Sequence, residues 1–424
     1  MIYFSMGSEE KALSTEEIKN GLYEALDKLG KRNTVLAVPP DITRFHSRAG
    51  ELTRYIRDYY GDGLKDVLPA LGTHFAMTEN EIDKMYEGVP KNLFRVHNWK
   101  QDLVTLGTVP GNFVKEVSGG LVDYNWPAQV NKLLVKGGHD LILSIGQVVP
   151  HEVVGMANYN KNIFIGTGGT EGINKSHFLG AVYGMERMMG RVDTPVRRVL
   201  NYASDNFSLP AQVVYVLTVI GKDADGSNVM KGLFIGDDEV CFQQAAELSV
   251  KVNLQLLEEP LQKVVVYLDP TEFKSTWLGN KAIYRTRMAI ADEGELIILA
   301  PGLKNFGEDH QIDKLIRKYG YLSTPEILDL VRDNVELQNN LSAAAHLIHG
   351  SSEKRFSITY CPRKISREEI EGVKFQYADL DQMLKKYNPE QLKDGWNTTS
   401  SGEEIFYISN PALGLWALEK DFRG

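Results

Sequence analysis

The sequence predicts an α/β protein with mostly parallel sheets flanked by helices, organised as two domains. Three observations lead there. Short, near-continuous apolar runs recur without polar alternation, as in strands buried on both faces. Helical stretches with recognisable start and stop signals fall between those runs. At 424 residues the chain is also longer than one hydrophobic core usually serves.

In chain order, Ser14 with Glu17 forms a possible capping box for a first helix, and TVLAV at 34–38 is the first buried run. Thr78 with Glu81 is a second capping box, following the apolar VLPAL segment. DLILSIGQVV at 140–149 reads as the strongest strand, followed by NIFIG (162–166), VVYVLTVI (213–220) and GLFIG (232–236). Residues 239–259 read as one long helix stopped by Pro260, because proline cannot continue a helix interior. The strand–helix alternation then restarts, which places the domain boundary near residue 260, with domains 1–260 and 261–424. In the second domain KVVVYLD (263–269), ELIILA (295–300) and FSITYC (356–361) read as strands. Helices are expected over about 324–347, opening at Thr324-Pro325, and over about 366–386.

Composition excludes several classes. A net charge of −9 argues against nucleic acid or an anionic membrane as the main partner, while leaving room for a local basic pocket. Cys241 and Cys361 are the only cysteines and lie far apart, so neither a disulfide framework nor a paired-thiol metal site is indicated. The opening MIYFSMGSEEKALS lacks the basic and apolar regions of a signal peptide. The run at 213–220 is far short of the ~20 residues that span a bilayer. The expectation is a soluble, cytoplasmic protein.

Candidate chemistry sits where buried strands end. PPDITRF (39–45) follows the first strand and carries Asp41 and Arg44 on a turn fixed by two prolines. In LGTHFAMTENEI, His74 lies between a glycine turn and a capped helix start, a position suited to anion binding or to lowering an imidazole pKa. PHEVVGMANYNKNIFIGTGGTEGINKSH (150–177) holds His151, Lys161 and His177 on glycine-bearing loops. His74 and His151 are candidate acid/base groups, His177 a candidate metal ligand, and Lys161 a nucleophile or covalent anchor. No HExxH, paired-cysteine or carboxylate cluster supplies further ligands, so a metal site built from this stretch alone is incomplete.

These residues, in this order, resemble the nickel-dependent lactate racemases and their 2-hydroxyacid racemase and epimerase relatives. The resemblance rests on Asp41-Ile42-Thr43-Arg44, on Gly72-Thr73-His74, on the His151–x9–Lys161–x15–His177 spacing, and on Lys281 in STWLGNKA. It implies a nickel-pincer nucleotide: a pyridinium-3-thioamide-5-thiocarboxylic acid mononucleotide carrying nickel, joined covalently to Lys161, with His177 completing the coordination. The ligands missing from the sequence would then belong to the cofactor. The implied reaction is redox-neutral inversion at the hydroxyl-bearing carbon of a small 2-hydroxy acid in the cleft between the domains. His74 and His151 would serve as the two acid/base groups. Arg44 and Lys281 are candidates for the substrate carboxylate or the cofactor's phosphate and carboxylate, Asp41 for orienting one of these groups or a histidine, and Trp277 for lining the substrate pocket. Cofactor-synthesis and nickel-insertion proteins are implied partners.

Departures from the lactate enzymes are local. ANYN (157–160) stands before the lysine, with Asn160 in place of an arginine, and Trp277-Leu278 replaces an aromatic–Gln pair. An indole lining the lactate pocket is replaced near 338–340. These changes predict a larger or more polar substrate than lactate, such as a sugar acid or malate. A conventional NAD-dependent 2-hydroxyacid dehydrogenase is a rival, but PPDITR stands where its GxGxxG would follow the first strand. A non-catalytic sensor on the same scaffold has little need of both histidines, the lysine and His177 together. Among the remaining histidines, His97 is expected to be structural. The 302–310 loop, with Asn305, Glu308 and His310, is a candidate to close over the site.

Overall fold

The computed structural model describes residues 1–223 and 226–422. The chain divides into two units, Met1–Tyr183 with Arg187–Asn253, and Gly184–Glu186 with Leu254–Gly424. Both are α/β, with sheets rich in parallel pairs and flanked by helices.

The sheet of the first unit is built from β1 (Ile2–Gly7), β2 (Val35–Val38), β3 (Leu64–Val67), β6 (Leu141–Gln147), β7 (Gln212–Lys222) and β8 (Asn228–Gly236). A separate antiparallel pair is formed by β4 (Leu103–Val109) and β5 (Trp126–Asn131). Spatial order in the main sheet is β1-β8-β7-β6-β2-β3. The four strands from β3 to β7 run parallel, and β8 and β1 add antiparallel. Leu141–Gly146 is buried throughout, as the unalternating sequence demands of a central parallel strand.

Helices α1 (Thr15–Leu29) and α2 (Ala49–Tyr60) cover one face. Their Ile18, Leu22, Leu26, Leu52 and Ile56 pack on Ala37, Leu143 and Val216 of the strands. Each such fully buried side chain contributes about 1.5–3 kcal/mol. Both expected capping boxes form: the Ser14 N–H donates to Glu17 and the Glu17 N–H to Ser14, and Thr78 with Glu81 does the same at α3 (Glu79–Met85). Later in the chain come α4 (Thr170–Tyr183), α5 (Pro195–Asn206) and α6 (Glu239–Asn253). α6 packs on β7 and β8, where Gly232 makes room for Leu248: a Cβ there would lie 2.6 Å from the leucine Cδ2.

The second unit contains β9 (Leu254–Leu257), β10 (Leu261–Tyr267), β11 (Ile290–Ala300), β12 (Ser357–Pro362), β13 (Gln376–Tyr377), β14 (Gly395–Thr398), β15 (Glu404–Ile408) and β16 (Leu415–Leu418). Its sheet order is β13-β12-β11-β10-β15-β14, parallel except for β14 on β15. Val265, Ile297, Leu299, Cys361 and Tyr407 build a core with Leu380 and Tyr387.

Four expectations fail locally. The helix expected over 239–259 ends at Asn253, and Leu254–Leu257 becomes a strand because Leu415–Leu418 offers it a parallel partner. NIFIG is no strand but a π-helical turn, Asn162–Gly166, buried on every side. The stretch 324–347 is three helices, Thr324–Asp333, Val335–Gln338 and Leu341–His349, broken at asparagines; Asn340 caps the last. The helix start at 324 is capped by Ser323, whose N–H donates to Glu326 at 3.0 Å. The stretch 366–386 holds two helices, Arg367–Gly372 and Leu380–Lys386, with β13 between them. Among the described residues no helix is long and apolar enough to cross a membrane.

Candidate active site and metal centre

The order β3-β2-β6 decides the site. Three adjacent parallel strands end at one edge, and the segments carrying Asp41 and Arg44, His74, and His151 to His177 leave from those ends. Cross-links hold them together: Pro40 bridges Ala70, and the Gly72 N–H donates to the Gly166 carbonyl at 2.8 Å. Asn162, next to Lys161, donates to the Val38 carbonyl and to Ser144, each at 3.0 Å. The lysine-bearing turn is thereby pinned to the ends of β2 and β6.

Asp41 caps the turn Ile42–Ser47, where its Oδ1 accepts the Thr43 N–H at 3.1 Å. Its Oδ2 lies 2.7 Å from Nδ1 of His74. Burial works to raise the Asp41 carboxyl pKa, but the bonds from His74 and Thr43 outweigh it and hold it below the ordinary value. A carboxylate on Nδ1 keeps the proton there and leaves the His74 Nε2 lone pair outward on a side chain 59 % exposed.

His151 is buried, and its Nδ1 accepts the Val153 N–H at 3.1 Å, so the neutral ring carries its proton on Nε2. Burial drives its pKa well below the ordinary value; Lys161, Arg44 and His177 add to this, while Glu152, 3.7 Å from Nδ1, opposes it. Lys161 is half-buried, and its amine makes no hydrogen bond or ion pair with the described residues. Burial first, and then the Arg44 charge, lower its pKa to about 8. His177, in α4, donates from Nδ1 to the Ile173 carbonyl at 2.7 Å, and burial lowers its pKa. Its Nε2 therefore keeps an available lone pair at neutral pH, the form in which histidine binds metals.

Every first-unit residue singled out from sequence thus feels the charge of others in the group. Among the described residues no three His, Cys, Asp or Glu side chains are grouped to hold a metal ion. An ion at His177 needs ligands from elsewhere.

The glycine-rich run is a packing device as well as a loop. A Cβ on Gly168 would fall 1.9 Å from the Phe164 carbonyl oxygen, so the close return of the chain requires glycine. His97 is buried beneath it, with Nε2 3.0 Å from the Gly168 carbonyl and Nδ1 2.9 Å from the Asn131 amide. ANYN does not present its polar groups as the sequence suggested. Asn160 is fully buried and donates to Asn201 at 2.7 Å, and Tyr159 stacks on Phe242 with centroids 5.1 Å apart.

In the second unit Trp277 and Lys281 lie on successive single turns, Thr276–Gly279 and Lys281–Tyr284. Trp277 packs on His346 at 4.4 Å, and Lys281 lies 5.7 Å from the Phe273 ring. The 302–310 loop braces these turns: the Asn305 and Phe306 carbonyls accept the Thr276 and Trp277 N–H groups, and Ser275 donates to Glu308. Near 338–340, Gln338 donates to the Arg332 carbonyl at 2.9 Å. Sequence reasoning missed Glu152, Asn162 and Arg197. The first two adjoin residues it had chosen, but nothing in PVRRV marks Arg197.

Residues 8–189 match the family model described as the lactate racemase N-terminal domain. No curated protein sequence matches the chain. Among solved structures, a protein from Thermotoga maritima is similar with 26% identity and TM-score 0.79, over 98% of this chain and 100% of that one. The lactate racemase apoprotein from Thermoanaerobacterium thermosaccharolyticum shares the fold with TM-score 0.69 at 18% identity, over 97% of this chain and 94% of that one. The matched residues 8–189 carry Asp41, Arg44, His74, His151, Lys161 and His177. Over residues 8–189 the chain is similar to the lactate racemase N-terminal domain, and this similarity supports an isomerase of the racemase class.

Proposed function

We propose that the protein inverts the hydroxyl-bearing carbon of a 2-hydroxy acid, using a nickel-pincer nucleotide held by Lys161 and His177. The observation that carries this reading is the pairing of two prepared groups. An amine with no hydrogen-bond partner among the described residues, its pKa lowered to about 8, stands near an imidazole whose Nδ1 is engaged, leaving Nε2 for a ligand. The donor set fits the group: one imidazole for a metal that brings its own sulfur ligands, and a lysine with a substantial neutral fraction for covalent attachment. When bound, that cofactor supplies reversible acceptance of the substrate's Cα hydride.

The protein's own residues do the rest. His74 takes the hydroxyl proton on Nε2, and Asp41 stabilises the resulting imidazolium through Nδ1–H. His151, with Nε2–H at rest, hydrogen-bonds the substrate oxygen when it lies on the other side and gives it that proton as the hydroxyl re-forms, and the proton held by His74 passes back so that both rings end neutral. Arg44, beside Asp41 on the same turn, supplies the cation for the substrate carboxylate. Trp277 and Lys281 are proposed as substrate-binding residues, with the domains taken as 1–260 and 261–424. The side-chain amide of Asn160 is used inside the fold and gives no ground for a larger substrate, so the substrate class is the 2-hydroxy acids as a whole.

Intact-mass spectrometry on protein from a cofactor-producing host tests the reading. A nucleotide-sized adduct at Lys161, absent in Lys161→Ala, with stoichiometric nickel is expected. Active enzyme with neither adduct nor nickel overturns it. A racemisation screen over lactate, malate and sugar acids then selects the substrate.

A further inference from the structure

The segment before Lys161 is held in an unusual way. Asn158 and Tyr159 are consecutive non-glycine residues in the left-handed region, with φ of 66° and 58°. Such backbone persists only where its surroundings over-determine it. Here the surroundings centre on one side chain, Arg197 of α5, which is 1% exposed. Its Nη2 donates to the Met156 carbonyl at 2.7 Å, its Nη1 to the Asn158 carbonyl at 3.3 Å, and Nη1 also to Oδ1 of Asn160. The guanidinium lies over the Phe242 ring at 4.4 Å, and that ring stacks on Tyr159. Asn160 passes the connection to Asn201 and Ser204 of the same helix.

Arg197 forms no salt bridge among the described residues, and its Nε has no hydrogen-bond partner. A buried guanidinium without a carboxylate is costly. All its acceptors lie within the five residues immediately before Lys161.

We propose that Arg197 is a positioning residue for Lys161: it locks residues 156–160 so that the lysine amine is presented for covalent attachment of its cofactor. This rests on the reading of Lys161 as the anchor. The Arg197 charge also disfavours the ammonium form of Lys161, in keeping with an amine kept ready as a nucleophile.

The test uses full-length apoprotein and a small amine-acylating reagent. Lys161 modification is followed by peptide mass spectrometry against exposed Lys31 as internal standard, from pH 6.5 to 10. In Arg197→Met the Lys161 rate at neutral pH should fall about tenfold and the midpoint of its pH profile should rise, with Lys31 unchanged. Arg197→Lys, which restores a cation and one donor, should recover part of the loss. A folded Arg197→Met protein whose Lys161 reacts as fast as wild type or faster, at an unchanged midpoint, overturns the proposal. Should Arg197→Met fail to fold, Asn160→Ala keeps the arginine but removes one acceptor and the link to α5. It should give a smaller fall, and an unchanged rate there also overturns the proposal. Adduct analysis of wild type from a cofactor-producing host separates the two ideas: no adduct on Lys161 defeats the anchor reading, whatever the labelling shows.

Discussion

His74 and His151 are residues of one type in opposite surroundings. His74 is exposed and pairs Nδ1 with the buried Asp41 carboxylate; His151 is buried and offers Nδ1 to a backbone N–H. The partner on Nδ1 sets which tautomer each ring prefers, so one presents a lone pair at Nε2 and the other a proton. A reaction run in both directions from these two rings starts from unequal states. Asymmetry of the folded chain, and not residue identity, assigns the opening roles.

Removing either ring is the harshest way to break the comparison. His74→Gln and His151→Gln should each lower kcat for inversion about 10³-fold, with the Lys161 adduct intact by mass. A variant retaining a tenth of wild-type kcat would show that its ring is not an acid/base group. The partners come next. Asp41→Asn should cost about 10–100-fold in kcat, because His74 loses the carboxylate that fixes its tautomer. Glu152→Gln, 3.7 Å from the His151 ring, should cost less than about threefold. Equal losses in the two variants would erase the distinction between the pairs.

Burial around His151 and Lys161 also has a stability signature. Lys161 has a folded-state pKa of about 8, below its unfolded value near 10.4. The unfolded chain therefore binds more protons between those limits, and wild-type stability rises with pH across them. Lys161→Met apoprotein should be more stable than wild type by about 2 kcal/mol at pH 7, after allowance for partial exposure, with the difference gone above about pH 10.5. Urea unfolding at both pH values measures this, and a pH-independent difference would contradict the assigned shift. The smallest effect lies in the kinetics. For a true racemisation the equilibrium constant is one, so kcat/KM must be equal in the two directions. Unequal starting tautomers should then appear as severalfold, matched differences in kcat and KM, and identical constants both ways would argue for equivalent histidines.

Much of the candidate site was legible because its proposed chemistry is carried by uncommon residues at strand ends. Asp41, His74, His151, Lys161 and His177 stood out, and the fold brings them to one sheet edge. Asn160 and Arg197 show why the rest was not. Asn160 looked like a pocket residue by its place beside Lys161, yet its amide turns toward α5. Arg197 lies 36 positions from the lysine it supports, and no local pattern marks a buried arginine. NIFIG had strand composition, but the close return at Gly168 bends it into a π-helical turn.

The sequence by itself determined the α/β class, the buried strands and the capped helix starts, because apolar runs, capping boxes and prolines act within a few residues. Only the tertiary structure decided the strand order β3-β2-β6, the pairing that made Leu254–Leu257 a strand, and the carboxylate that took the His74 Nδ1 proton. Those outcomes depend on contacts between distant segments. Hydrogen-bond partners and burial, which set tautomer and pKa, exist only once the segments meet.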